Sequence, residues 1–176
     1  MFGKIKNQFG FTLVELMITV NIIGILSVVA VMSSLTYMQK ARERVTQENL
    51  RALKQNLMQY NLDTGHYPDK MVEGDYFTGS GARGGGSGVS AEFSKYIRRM
   101  PMNQLRGEND GEVSALNWVT QCDDLDNATY LSVMTEISSA NYNGWLYIHK
   151  INGEETGVLL IPRGGNDFNG VPYTQW

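Results

Sequence analysis

Hydrophobic and polar positions divide the chain into two unlike parts. Residues 16–39 run for 24 positions without an Asp, Glu, Lys or Arg. At ~1.5 Å of rise per residue, a helix of that length reaches about 36 Å, more than the ~30 Å hydrocarbon core of a bilayer. Beyond the run the pattern changes. Leu50, Leu53, Leu57 and Tyr60 recur at spacings of 3, 4 and 3, and Met38, Ala41 and Val45 repeat the spacing earlier. That is one apolar stripe on an otherwise polar helix. No Gly or Pro falls between residues 37 and 62, so the pattern predicts a single helix over 11–62. Its first half is apolar all round and its second half amphipathic. The segment Asp63-Thr64-Gly65-His66-Tyr67-Pro68 ends it, with Gly as the stop and Pro beyond.

Later in the chain the period shortens. Trp145–Ile151, then Asn152-Gly153, then residues 154–161 read as a β-hairpin closed by a type I′ turn. Both alternating sets of the first strand carry apolar side chains, so the pattern does not single out a core face. Weaker strand signals lie at 113–121 and 130–137. These elements predict an α+β fold in which a long N-terminal helix packs its amphipathic half on a small antiparallel sheet of three or four strands.

Composition and charge remove whole classes of function. Fifteen basic against eighteen acidic residues give a net charge of −3, without the basic stripe that a nucleic-acid surface requires. The one cysteine, Cys122, cannot close an intrachain disulfide or build a thiolate metal site, and reads as a small buried apolar residue. Residues 79–88 hold six glycines, but no Lys-Ser or Lys-Thr follows to make a phosphate loop. They read as a surface loop. His66 stands in the loop after the helix with no nucleophile at motif spacing, so no enzyme chemistry is assigned. Asp123, Asp124 and Asp126 read as solvated carboxylates.

The N-terminus is the informative end. Met1 to Gly10 carries Lys4 and Lys6 and no acid. The apolar run after it is about twice the ~7–15 residues of a secretory signal and lacks a small-x-small cleavage site at its far end. The two lysines place the extreme N-terminus in the cytoplasm, whereas Lys40, Arg42, Arg44, Arg51 and Lys54 beyond the run outnumber Glu43 and Glu48. Counting positive charges leaves the orientation open. Glu15 stands among Leu13, Val14, Leu16 and Met17. A carboxylate at the centre of a membrane helix costs ~2.5–3.5 kcal/mol, unless it is hydrated at the headgroups or paired. Residues 11–39 offer no cation, so a partner would come from another chain or from a newly made N-terminal amine.

The segment Gly10-Phe11-Thr12-Leu13-Val14-Glu15-Leu16 resembles the prepilin-peptidase recognition motif of type IV pilins and type II secretion pseudopilins. The phrase Leu62 to Pro68 and the stretch from Tyr96 to Asn103 are also similar to that family, although Gln104 stands where a proline is usual. The resemblance implies four segments. Residues 1–10 are a leader removed by prepilin peptidase, and 11–36 are a transmembrane and assembly helix. Residues 37–62 are its amphipathic continuation, and 63–176 are a globular pilin-like domain. It implies cleavage between Gly10 and Phe11, N-methylation of Phe11, and Glu15 as the assembly residue that pairs with a neighbouring subunit's amine. Met32 occupies the place of a helix proline common in the family, which makes local melting of the helix on assembly less assured. Some relatives bind calcium near the C-terminus, and Asn166, Asp167 and Asn169 are the conceivable ligands here, without the acidic twelfth position of an EF-hand. The implied function is a structural subunit of a homo-oligomeric filament, and the secretion pseudopilin is favoured over a surface pilin or a minor, tethered binding subunit. Implied partners are prepilin peptidase, an inner-membrane assembly platform and membrane lipid before assembly, with no nucleic acid. The implied location is a bacterial inner membrane crossed once, with the C-terminal domain periplasmic.

Overall fold

The computed structural model describes residues 10–74, 85–105, 119–139, 144–161 and 164–176, at 32–33 and 136–139 by their backbone alone. The chain forms two compact units, Met1–Lys40 and Ala41–Trp176. Helix α1 (Leu13–Thr64) supplies the described structure of the first and the opening element of the second. It matches the expected 11–62 within two residues at each end. Gly65, at φ +82°, takes the left-handed conformation that stops it, and its N–H donates to the Asn61 carbonyl at 2.8 Å.

Among the described residues, those of the first unit join neither hydrophobic core cluster. Every large apolar side chain described from Leu13 to Leu35 stays exposed. Two of its polar residues bond their own backbone: the Thr19 hydroxyl donates to the Leu16 carbonyl and the Ser27 hydroxyl to the Ile23 carbonyl. This back-bonding satisfies both hydroxyls within the helix.

The second unit is built around a four-stranded sheet in the order β1 (Gly85–Gly86), β2 (Val119–Leu125), β3 (Trp145–Ile151), β4 (Glu154–Leu160). The expected all-antiparallel pairing does not hold. β2 and β3 run parallel, in register from Val119 opposite Trp145 to Leu125 opposite Ile151, while the β1–β2 and β3–β4 pairs are antiparallel. The cause is the segment 130–137, expected as a strand, which lies inside helix α2 (Asn127–Ser139). Tyr130, Val133 and Met134 recur at helical spacing and pack together on the sheet. A helix between two strands is the connection that permits parallel pairing. Of the expected strand at 113–121 only the last three residues are described, and they open β2; 113–118 lie outside the described residues, as do 79–84 of the glycine-rich stretch.

The sheet is covered on both faces. Trp145, Tyr147 and Val119 join Leu50, Leu53, Leu57 and Tyr60 of α1 in the larger core. Leu146, Ile148, Cys122 and Leu125 face α2 in a smaller one. β3 is buried on both sides from Trp145 to His149, which is why alternation in 145–151 singles out no core face. The hairpin turn has Asn152 at φ 54° and Gly153 at φ 78°, the I′ geometry expected.

Candidate functional site: the start of the apolar helix

The motif at the head of α1 has a defined local geometry. Gly10, Phe11 and Thr12 precede the helix, and Phe11 is 81% exposed. The Gly10–Phe11 peptide therefore lies in non-helical chain, ahead of the first hydrogen-bonded turn. Thr12 is the N-cap. Its backbone N–H and its hydroxyl each donate to Glu15 Oε2 at 2.9 Å, and its Oγ accepts from the Glu15 N–H at 3.2 Å. This reciprocal capping box satisfies donors that the first turn would leave bare. It also fixes the carboxylate on the N-terminal side of its own helix. Both bonds to the Glu15 side chain fall on Oε2, so Oε1 takes no part in the cap.

Behind the cap, α1 is long and apolar enough to cross a membrane, with a mean hydropathy of 2.3 over its most apolar 18-residue window and none of that window buried. The N-terminal apolar helix is a candidate membrane anchor.

The remaining expected residues lie in the second unit. Asn166, Asp167 and Asn169 share a turn near the C-terminus, where Asp167 Oδ1 accepts from the Asn169 and Val171 N–H groups at 2.7 and 2.9 Å. Those bonds, that from Val171 foremost, hold the Asp167 carboxyl below its ordinary range. Among the described residues no group of three or more His, Cys, Asp or Glu side chains is placed to hold a metal. Cys122 is buried against α2, and burial pushes its thiol up to about 12. His66 is exposed, its Nδ1 3.0 Å from the Tyr67 carbonyl and its ring edge-on to Tyr60.

Asp124 and Asp126 are exposed and Asp123 half-buried, and each also accepts a hydrogen bond or faces a histidine nitrogen. Asp124 Oδ1 accepts from the Gly153 N–H at 2.9 Å, and Asp126 caps α2 through the Thr129 N–H at 2.6 Å. Asp123 Oδ1 lies 3.1 Å from Nδ1 of His149, a side chain that is 1% exposed. Asp69 Oδ1 stands 3.5 Å from the other ring nitrogen. Nothing local marks His149, since both acids are distant in sequence.

A second unanticipated group is Glu43, 6% exposed in the amphipathic half of α1. Its Oε1 accepts from the Tyr173 hydroxyl at 2.9 Å and its Oε2 from the Phe168 N–H at 3.3 Å. This carboxylate is one tie between the C-terminal loop and the helix.

Comparison with known proteins bears on the same N-terminal segment. Residues 5–31 match the family described as "Prokaryotic N-terminal methylation motif". The chain is also similar to "Type II secretion system core protein G" of Escherichia coli (strain K12), 30% identical over 102 residues. That match covers 53% of this chain and 64% of the relative, so the chain spans just under two thirds of its length. No solved structure matches.

Proposed function

We propose that this chain, whose N-terminal motif and relative support membership of the type IV pilin and pseudopilin family, is a structural subunit of a type IV-like filament. More narrowly, it is a type II secretion pseudopilin. The observation that carries the reading is the joint arrangement at the head of α1: an exposed Gly10–Phe11 bond outside the helix, a capped Glu15, and an exposed apolar helix behind them.

Cleavage after Gly10 would create a cationic amine on Phe11, beside a helix with no other cation as far as Gln39. Glu15 of an adjoining subunit would neutralise it. Two ions that are each costly in hydrocarbon then become a pair in low dielectric, which favours packed subunits over dispersed ones. N-methylation keeps that positive charge. The leader would stay cytoplasmic and residues 41–176 would stand in the periplasm. The narrower pseudopilin reading rests on the similarity to core protein G and on Cys122 being the chain's one cysteine, so that no C-terminal disulfide loop forms. Calcium at Asn166, Asp167 and Asn169 is a separate proposal. A cation there would use Asp167 Oδ2, because Oδ1 already serves two amides.

Mass spectrometry of the mature chain tests the processing: a first residue of methylated Phe11 supports it, and retained Met1 to Gly10 overturns it. A deletion strain separates the narrower readings, through loss of protein secretion for a pseudopilin and loss of surface fibres for a pilin.

A further inference from the structure

The C-terminal loop carries a feature that filament chemistry at Glu15 does not use. Two ties set its course. The Lys54 ammonium donates to the Trp176 carbonyl at 2.6 Å, and Glu43 accepts from Tyr173 and Phe168. From Trp176 back to Phe168 the loop therefore descends along α1 toward the helix N-terminus. Glu43 follows Gln39, the last residue of the uncharged run, by little more than one helical turn. Within the second unit, the turn from Asp167 to Gly170 thus lies beside Glu43, in the opening turn of that unit's part of α1.

At that level the loop turns apolar groups outward. Tyr173 points into the core, whereas Phe168 is 44% and Val171 39% exposed. Asp167 fixes them as a pair by holding the Asn169 and Val171 amides. Arg42 and Arg44 are exposed on the adjoining turn of α1. Aromatic and aliphatic side chains beside arginines are the composition of a surface seated at a headgroup boundary, where rings enter the acyl edge and guanidinium groups meet lipid phosphate.

We propose that Phe168 and Val171, with Arg42 and Arg44, form a membrane-resting face that seats residues 41–176 on an anionic phospholipid surface before assembly. The inference rests on the reading of residues 16–39 as bilayer-embedded. Leaving the bilayer then requires release of this face as well as of the helix.

The test uses the full chain, one copy per nanodisc of phosphatidylethanolamine and phosphatidylglycerol, with a nitroxide label on single cysteines in a Cys122→Ala background. Phe168→Cys and Val171→Cys probe the face. Ser27→Cys reports the helix and Glu154→Cys the hairpin turn. Accessibility of the 168 and 171 labels to an aqueous nickel chelate is expected to be severalfold lower than at 154, with higher accessibility to oxygen. A deep Ser27 label together with 168 and 171 labels that match 154 overturns the face and leaves the embedded helix standing. A Ser27 label open to the chelate removes both. Shielding of 168 and 171 that develops only with two chains per disc makes the face a subunit contact and overturns the membrane assignment.

Discussion

The Tyr173 hydroxyl donates to Glu43 Oε1 at 2.9 Å across 130 residues of sequence. A buried carboxylate is costly unless its oxygens are bonded, and here each oxygen has a donor, Tyr173 for one and the Phe168 amide for the other. The consequence is mutual: the helix position is tolerable because the loop is there, and the loop has a fixed course because the carboxylate is there.

Tyr173→Phe removes one donor and keeps the ring in the core. A hydrogen bond to a charged group contributes ~1.5–3 kcal/mol, so a stability loss of that order is expected. Hydrogen exchange should show faster amides at Asp167 and Tyr173, whose bonds to the Val171 and Gly165 carbonyls close the loop. Unchanged protection there would show that the loop stands without Glu43.

Gly157 tests the joint between the helix end and the sheet. Its φ is +54°, and a Cβ at that position would meet the Tyr67 ring. The register of β3 against β4 shifts alongside it. Gly157→Ala therefore carries both a left-handed backbone cost and a clash, together ~2–4 kcal/mol in thermal or denaturant unfolding. Combining it with Tyr67→Ala removes the clash but not the backbone term, so the double variant should lose less than the sum of the two single losses.

Asp126 gives the chain an acid-sensitive element. The Thr129 amide and hydroxyl, bonded to its carboxylate, hold its pKa below the ordinary 3.8. A depressed carboxyl contributes stability that is full above the unfolded value and is lost as pH falls through the folded one. Helix α2 should therefore begin to loosen below about pH 4, read by exchange at its first-turn amides. Asp126→Asn keeps a capping oxygen without the titration, and its α2 protection should be flatter across the same range.

What the sequence makes legible follows from the reach of its signals. The long helix, the hairpin and the buried cysteine are local patterns, and all three stand. Thr12-x-x-Glu15 is itself a capping-box spacing, although only the folded structure shows both bonds meeting on Oε2. Residues 130–137 mislead because a short segment mixing Thr, Val and Ile suits a strand as well as a helix. The Asp126 cap and the Tyr130, Val133, Met134 spacing are the signals for the helix. That change of one element turns an antiparallel sheet into a mixed one. Glu43 with Tyr173, and His149 with Asp69 and Asp123, have no local signal, because their partners meet through tertiary packing.

The last prediction concerns Glu15, whose carboxylate the proposal gives two duties: capping its own helix and pairing with a neighbour's amine. Glu15→Ala removes both. It costs about 1 kcal/mol or less at the helix start and leaves the apolar run, and hence membrane insertion, intact. Filament incorporation should stop, and wild-type filament yield would sink the pairing idea. Glu15→Gln separates the two duties, because glutamine at this position still completes a capping box but carries no charge. Loss of assembly in both variants, measured by filament yield against membrane-inserted subunit, assigns the effect to the ion pair. Loss in the alanine variant alone would assign it to the cap.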